Sequence, residues 1–175
     1  AATAFSRSLA LNPANIEAHL AYVSVLRAAG DARGALSASK LAQARFSSDA
    51  RISYATALCL EDLGLPSDAL AHYDAALATA PGFEDALHNR GLLLARLGRF
   101  KEAAVNQRRY VAAHPESARA YSGLADMLLA LARYEEAIEA LQGLLRLAPQ
   151  DVSARVRRGV AHASMHRFTE AREDF

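Results

Sequence analysis

The sequence is poor in cysteine: Cys59 is the single one among 175 residues. One cysteine excludes an intramolecular disulfide framework and any zinc site built on several thiolates. No apolar run reaches the roughly 18 residues of a membrane span, so we expect no membrane as a partner. Nothing at Ala1 resembles a signal peptide, and we expect a cytoplasmic protein, with the periplasm as the alternative.

An excess of one charge is also missing, because 20 Lys and Arg face 19 Asp and Glu. Dedicated nucleic-acid binders carry a clear basic excess, so we expect no nucleic acid as a partner. The locally basic end, with Arg155, Arg157, Arg158 and Arg167, lacks interleaved aromatic side chains. An RNA-binding alternative would predict a strongly salt-dependent affinity for polynucleotide. Arg outnumbers Lys 18 to 2, which suggests a bacterial source.

Tryptophan is absent and only 9 Gly and 5 Pro occur, whereas alanine is abundant. The prolines at 13, 81, 115 and 149 are separated by multiples of 34 residues, with Ser47 at the missing place. If the proline is repeat position 32, position 20 is alanine in every unit: Ala1, Ala35, Ala69, Ala103, Ala137 and Ala171. Position 15 holds Gly30, Gly64, Gly98, Ala132 and His166. A repeat array is therefore predicted.

Each unit predicts two helices. Apolar residues at positions 8 and 11 form one face of a first helix, and glycine at position 15 permits the left-handed conformation that stops it. A second helix follows and ends before the proline, which gives helices of roughly 16–29 and 33–46 in the first complete unit. Small residues at positions 8 and 20 let the two backbones approach closely, so Ala69, Ala103 and Ala137 should be buried.

This pattern resembles the tetratricopeptide repeat family along the whole chain, most clearly in the stretch GLLLARLGRFKEAA from Gly91 to Ala104. The resemblance implies an all-α fold, a right-handed α-solenoid of stacked antiparallel helix pairs. The chain is then one domain, residues 1–175, with complete repeats at 16–49, 50–83, 84–117 and 118–151 and partial repeats at 1–15 and 152–175. Arg90 and Arg158 depart from the family by occupying the usual leucine at position 7.

Both ends of the chain fall inside a second helix, at repeat positions 20 and 24. Solenoids need polar capping units, so we interpret the chain as an excerpt of a longer array. Phe5, Leu9, Phe168 and Phe175 would then lack covering partners. We expect these uncapped ends either to self-associate or to be the most mobile segments.

Positions 2, 5, 6, 9, 12 and 13 of each first helix fall on one stripe, which we call the first-helix stripe. By the family resemblance it lines the concave side and binds partner peptides. The candidate partner-binding residues are Arg51, Tyr54, Asp85, His88, Asn89, Leu92, Arg119, Ser122, Asp126 and Arg157. The stripe carries five Arg and five Asp or Glu, so it is neutral overall. A solvated helix face is the alternative interpretation for any single member.

Two groove chemistries of the family are not supported. The clamp for a C-terminal carboxylate uses Lys and Asn at positions 5 and 9, which hold neither here. The asparagine ladder at position 6 is represented by Asn89 alone.

Catalytic motifs are absent as well: there is no Gly-rich phosphate loop, nucleophile elbow or recognisable triad. His162 and His166 have metal-ligand spacing on a helix but no evident third ligand. Cys59 is interpreted as a small buried thiol. We therefore expect no enzyme, no cofactor and no metal.

The sequence thus predicts a non-catalytic protein–protein interaction scaffold that binds a protein or peptide in its concave groove. The alternative is a substrate-recruiting arm of a larger enzyme, such as a bacterial protein O-glycosyltransferase or sulfotransferase of the kind this family adjoins.

Overall fold

A computed structural model describes residues 14–175, in which helices are the regular secondary structure. The expected partial repeat at the start of the chain, with Phe5 and Leu9, lies outside the described residues up to position 13. The ten helices of the described part are α1 (Ile16–Ala28), α2 (Ala32–Arg45), α3 (Ala50–Asp62), α4 (Pro66–Thr79), α5 (Glu84–Arg96), α6 (Phe100–Ala113), α7 (Ala118–Ala130), α8 (Tyr134–Leu147), α9 (Val152–Ser164) and α10 (Phe168–Asp174). Each first helix is odd-numbered in this scheme and each second helix is even-numbered.

The described residues divide into two compact units, the first ending at residue 86 and the second comprising residues 87–175. In the first unit consecutive helices from α1 to α4 pack on one another, and α1 also packs on α3. In the second unit the same sequential packing runs from α6 to α10. First helices of neighbouring repeats therefore touch directly in the first unit, which places their stripes side by side there.

First helices begin at repeat position 34, where a side chain caps the helix. Asn15, Asp49, Ser117 and Asp151 each accept a hydrogen bond from a backbone N–H of the first turn. Such caps satisfy donors that have no partner inside the helix. Phe83 holds the same position before α5, and its side chain has no hydrogen-bond acceptor. Its backbone N–H nevertheless donates to Ala80 at 3.0 Å, as the N–H of Asp49 does to Phe46 at 3.1 Å.

First helices end in a left-handed residue, as the sequence predicts. The φ angles of Gly30, Gly64 and Gly98 are +78°, +72° and +70°. Ala132 and His166, which replace glycine at this position, adopt the same conformation with φ of +54° and +59°. The turn is therefore imposed by its surroundings even where the residue disfavours it.

The alanines at position 20 form the close contact that their phase predicts. Ala35, Ala69, Ala103 and Ala137 are fully buried, and Ala171 is 4% exposed. Larger side chains fill the space beside these small ones: Tyr73 and Tyr110 are also fully buried. The predicted burial of position 20 is thereby confirmed in every described repeat.

Cys59 is fully buried on α3, which confirms its interpretation as a core thiol. Burial raises the pKa of this thiol to about 11. The thiolate is the reactive form of cysteine, so burial disfavours that form of Cys59 at neutral pH.

Candidate functional site

The first unit contains a pocket of about 300 Å³ on its first-helix stripe. Its walls come from α1, from α3 and from the turn and first residues of α5. The lining residues are Leu20, Val23, Ser24, Arg27, Arg51, Tyr54, Ala55, Leu58, Phe83 and Asp85. Three of the candidate residues, Arg51, Tyr54 and Asp85, thus lie in one cavity.

Aromatic rings form one wall of this pocket. The ring centroids of Tyr54 and Phe83 are 5.0 Å apart, and those of Tyr54 and Tyr73 are 6.0 Å apart. Tyr73 is fully buried behind Tyr54, and its hydroxyl donates a hydrogen bond to Glu61. Burial and this hydrogen bond raise the pKa of Tyr73. The wall is therefore fixed from behind by a side chain that cannot rotate without losing its partner.

The arginines at the pocket already have carboxylate partners within the chain. Arg27 Nε lies 2.6 Å from Asp62 Oδ2, and this contact raises the pKa of Arg27. Arg51 lies 2.6 Å from Glu17 and 2.8 Å from Asp49. Exposed pairs of this kind add little to stability, but they hold the side chains in place and leave neither guanidinium without a carboxylate partner.

In the second unit the stripe residues form two hydrogen-bonded groups. Arg157 Nη1 donates to Asp126 Oδ1 at 2.7 Å and to Ser122 Oγ at 3.1 Å. Arg119 Nε donates to the hydroxyl of the buried Tyr110 at 2.9 Å.

The remaining predicted residues of the second unit are placed as follows. The imidazole of His88 also faces Tyr110, at 6.3 Å between ring centroids. Asn89 is half-buried, and Leu92 is 47% exposed. On α9, Val152, Val156 and Val160 form an exposed apolar ridge one turn apart. Eight of the ten predicted residues thus lie in three local clusters, one in the first unit and two in the second.

The pocket residue that sequence reasoning missed is Phe83. The first-helix stripe counts helical positions only, whereas Phe83 lies in the turn before α5. Comparing position 34 across the repeats would have revealed it, because the other repeats place Asn, Asp or Ser there.

The two histidines with metal-ligand spacing lie in different environments. His162 Nε2 is 4.0 Å from Asp174 Oδ2, whereas His166 lies in the left-handed turn with its ring against Phe168. Across residues 14–175 no three His, Cys, Asp or Glu side chains are grouped so as to hold a metal ion. The same residues include no helix that is long and apolar enough to span a membrane.

A family model described as tetratricopeptide repeat matches residues 24–84, 54–118, 88–152 and 128–175. The chain belongs to the tetratricopeptide repeat family. No curated protein sequence matches it.

Solved structures agree with this assignment. YrrB, described as a tetratricopeptide repeat protein with an unusual peptide-binding site, superposes with a TM-score of 0.80 at 20% identity, over 99% of this chain and 90% of that one. MamA from Desulfovibrio magneticus RS-1 gives a TM-score of 0.76 at 24% identity, over 91% of this chain and 90% of that one. PilF of Pseudomonas aeruginosa gives 0.73 at 21% identity, over 91% and 72%. These likenesses establish the all-α tetratricopeptide fold.

Proposed function

We propose that this chain is a non-catalytic protein–protein interaction module that binds a peptide or protein segment along its first helices. The observation that carries the proposal is the pocket of about 300 Å³ in the first unit, where α1 and α3 bring predicted stripe residues together. Concave, mostly apolar pockets with a few placed polar groups are the usual binding sites of proteins.

The stripe of the second unit supports the same proposal. Apolar side chains are normally withdrawn from water, yet Leu92, Val156 and Val160 are 47%, 42% and 50% exposed at groove positions. Ordered polar groups stand beside the valine ridge of α9, since Arg157 on the same helix bridges Asp126 and Ser122. An apolar ridge with fixed polar neighbours resembles the centre and rim of a protein interface. YrrB, which shares the fold, is itself described as having a peptide-binding site.

The test starts from peptides selected by panning a random-peptide phage library on the 175-residue chain. Binding of the selected peptides is measured by fluorescence anisotropy to a variant in the stripe, Leu58→Glu, and to a matched variant on a second helix, Leu41→Glu. Leu41 is 69% exposed, so its substitution leaves the fold intact. We expect Leu58→Glu to weaken binding by about tenfold or more, as loss of a central contact does.

The combined variant Arg51→Glu with Arg119→Glu should also lose the peptides while its circular-dichroism spectrum stays helical. Loss of binding in Leu41→Glu but not in Leu58→Glu would show that the second helices carry the site and that the proposal is wrong.

A further inference from the structure

The turn before α5 departs from the rule that the other described first helices follow. Position 34 holds a capping side chain before α1, α3, α7 and α9. Before α5 it holds Phe83, whose side chain cannot cap a helix. A capping side chain contributes about 1 kcal/mol to its helix. Phe83 therefore does not supply the side-chain cap that would stabilise the start of α5. Such departures from local consistency are expected at functional positions.

Phe83 instead forms a pocket wall. Its ring packs against Tyr54 at 5.0 Å, and both rings line the cavity with Leu20 and Leu58. The volume of about 300 Å³ is small for an organic cofactor, at the lower end of ligand pockets. An engineered cavity of about 150 Å³ already holds a benzene molecule. The space therefore suits one large side chain together with its flanking backbone.

The charges around the pocket determine which class of side chain it favours. Arg27 and Arg51 are each bound to carboxylates of the chain, Asp62 in one case and Glu17 with Asp49 in the other. An acidic guest would meet guanidinium groups that already have carboxylate partners, and a charged guest of either sign would lose hydration on entering the pocket. An uncharged apolar guest leaves every ion pair intact and withdraws apolar surface from water.

We propose that this pocket is an anchor site for one leucine- or phenylalanine-class side chain of a partner peptide, and that Phe83 is its specificity-determining residue. This inference rests on the proposed function, because it names what the partner inserts at that site. The carboxylates bound to Arg27 and Arg51 outnumber these two arginines, and Asp85 also lines the pocket, so an acidic side chain is repelled. A basic side chain would lose its hydration on entering.

The probes are the N-acetyl amides of leucine, phenylalanine, lysine and aspartate, titrated into the ¹⁵N-labelled 175-residue chain. We expect saturable shifts at the amides of Ser24, Tyr54 and Leu58 from the leucine and phenylalanine probes. Their dissociation constants should be on the order of millimolar, since ligands of this size gain little energy per atom. The lysine and aspartate probes should bind at least about tenfold more weakly.

The decisive variant is Phe83→Ser, which installs the capping residue that Ser117 provides before α7. The new cap should maintain the melting temperature, while the affinity for the leucine probe falls at least about tenfold. Phe168→Ser is the matched control, because Phe168 is 65% exposed and lies in the second unit, so affinity should not change. A further variant, Asp62→Asn, removes the partner of Arg27 and should strengthen binding of the aspartate probe.

Three results would overturn the inference: no saturable shift from any probe, equal binding of the charged probes, or full affinity in Phe83→Ser. If phage-selected peptides still required the first-helix stripe in that event, the proposed function would stand and only the anchor would be wrong.

Discussion

Arg158 and Asp174 lie sixteen residues apart and form a bidentate ion pair that joins α9 to α10. Arg158 Nε lies 3.0 and 2.9 Å from the two carboxylate oxygens, and its Nη2 contacts Oδ1 as well. The Asp174 side chain is only 3% exposed. The carboxylate raises the pKa of Arg158.

This pair explains a departure from the family pattern. Arg90, the other arginine at repeat position 7, donates to Asn106 at 3.1 Å, and Asn106 is likewise sixteen residues later and buried. Where position 7 is Leu124, the facing residue is Ala140. An arginine at position 7 is thus matched by a polar residue at position 23, which gives the guanidinium a partner inside the repeat.

The first prediction follows from this match. Arg158→Leu leaves a buried carboxylate without its cation and should destabilise α10 by about 3 kcal/mol. Arg158→Leu combined with Asp174→Ala copies the pair Leu124 and Ala140 and should restore stability to within about 1 kcal/mol. Amide hydrogen exchange of α9 and α10 measures both. A double variant that is no better than the single one would show that the two positions do not compensate.

The second prediction concerns the left-handed turns. Ala132 has a φ of +54°, and this conformation costs an alanine about 1–2 kcal/mol. Ala132→Gly should therefore raise the free energy of unfolding by about 0.5–1 kcal/mol, after the entropy of glycine is subtracted. Gly98→Ala is the reverse experiment, because no atom lies within 4 Å of the added Cβ and only the backbone is strained. Urea denaturation should show a higher midpoint for Ala132→Gly and a lower midpoint for Gly98→Ala than for wild type. Equal midpoints for Gly98→Ala and wild type would refute the argument.

The third prediction concerns the buried amide of Gln107, which lies against two glycines of neighbouring first helices. A Cβ at Gly91 or at Gly123 would be 2.6 Å from Gln107 Nε2. Gly123→Ala should destabilise by about 1–3 kcal/mol, because the overlap outweighs the better helix propensity of alanine. In a Gln107→Ala background the same substitution should become stabilising. Urea denaturation of the four proteins tests this, and additive effects would rule out the proposed clash.

The fourth prediction concerns pH. Burial and the nearby Lys40 lower the pKa of His72 below its ordinary value of 6.5, against an opposite effect of Asp68. Below pH 6.5 the unfolded chain then binds more protons at this site than the folded chain, so stability falls as pH falls through this range. His72→Gln should lose less stability than wild type between pH 7 and pH 5 in urea denaturation. An identical pH dependence in the two proteins would exclude His72 as a cause.

The helices, the left-handed turns and the buried alanines were predictable from the sequence because each repeat position has one packing environment. Ala69 and Ala103 occupy the same repeat position, and that position alone determines their burial. Phe83 was not predictable in this way, because a turn residue has no helical periodicity to place it. The partner of Arg158 was also missed, because a departure from the family pattern becomes informative only when position 23 is compared with position 7.

The pocket beside Phe83 takes its walls from three successive repeats. Repeats in such arrays otherwise interact with their nearest neighbours only. A guest side chain in this pocket would therefore contact α1, α3 and the turn before α5 at the same time. Because the guest binds only the stacked form, its binding energy adds to the cohesion of the stack. We expect the unfolding transition of the first unit to become more cooperative as the pocket is filled. A mechanical force that separates α1 from α3 should release the guest while each helix is still folded.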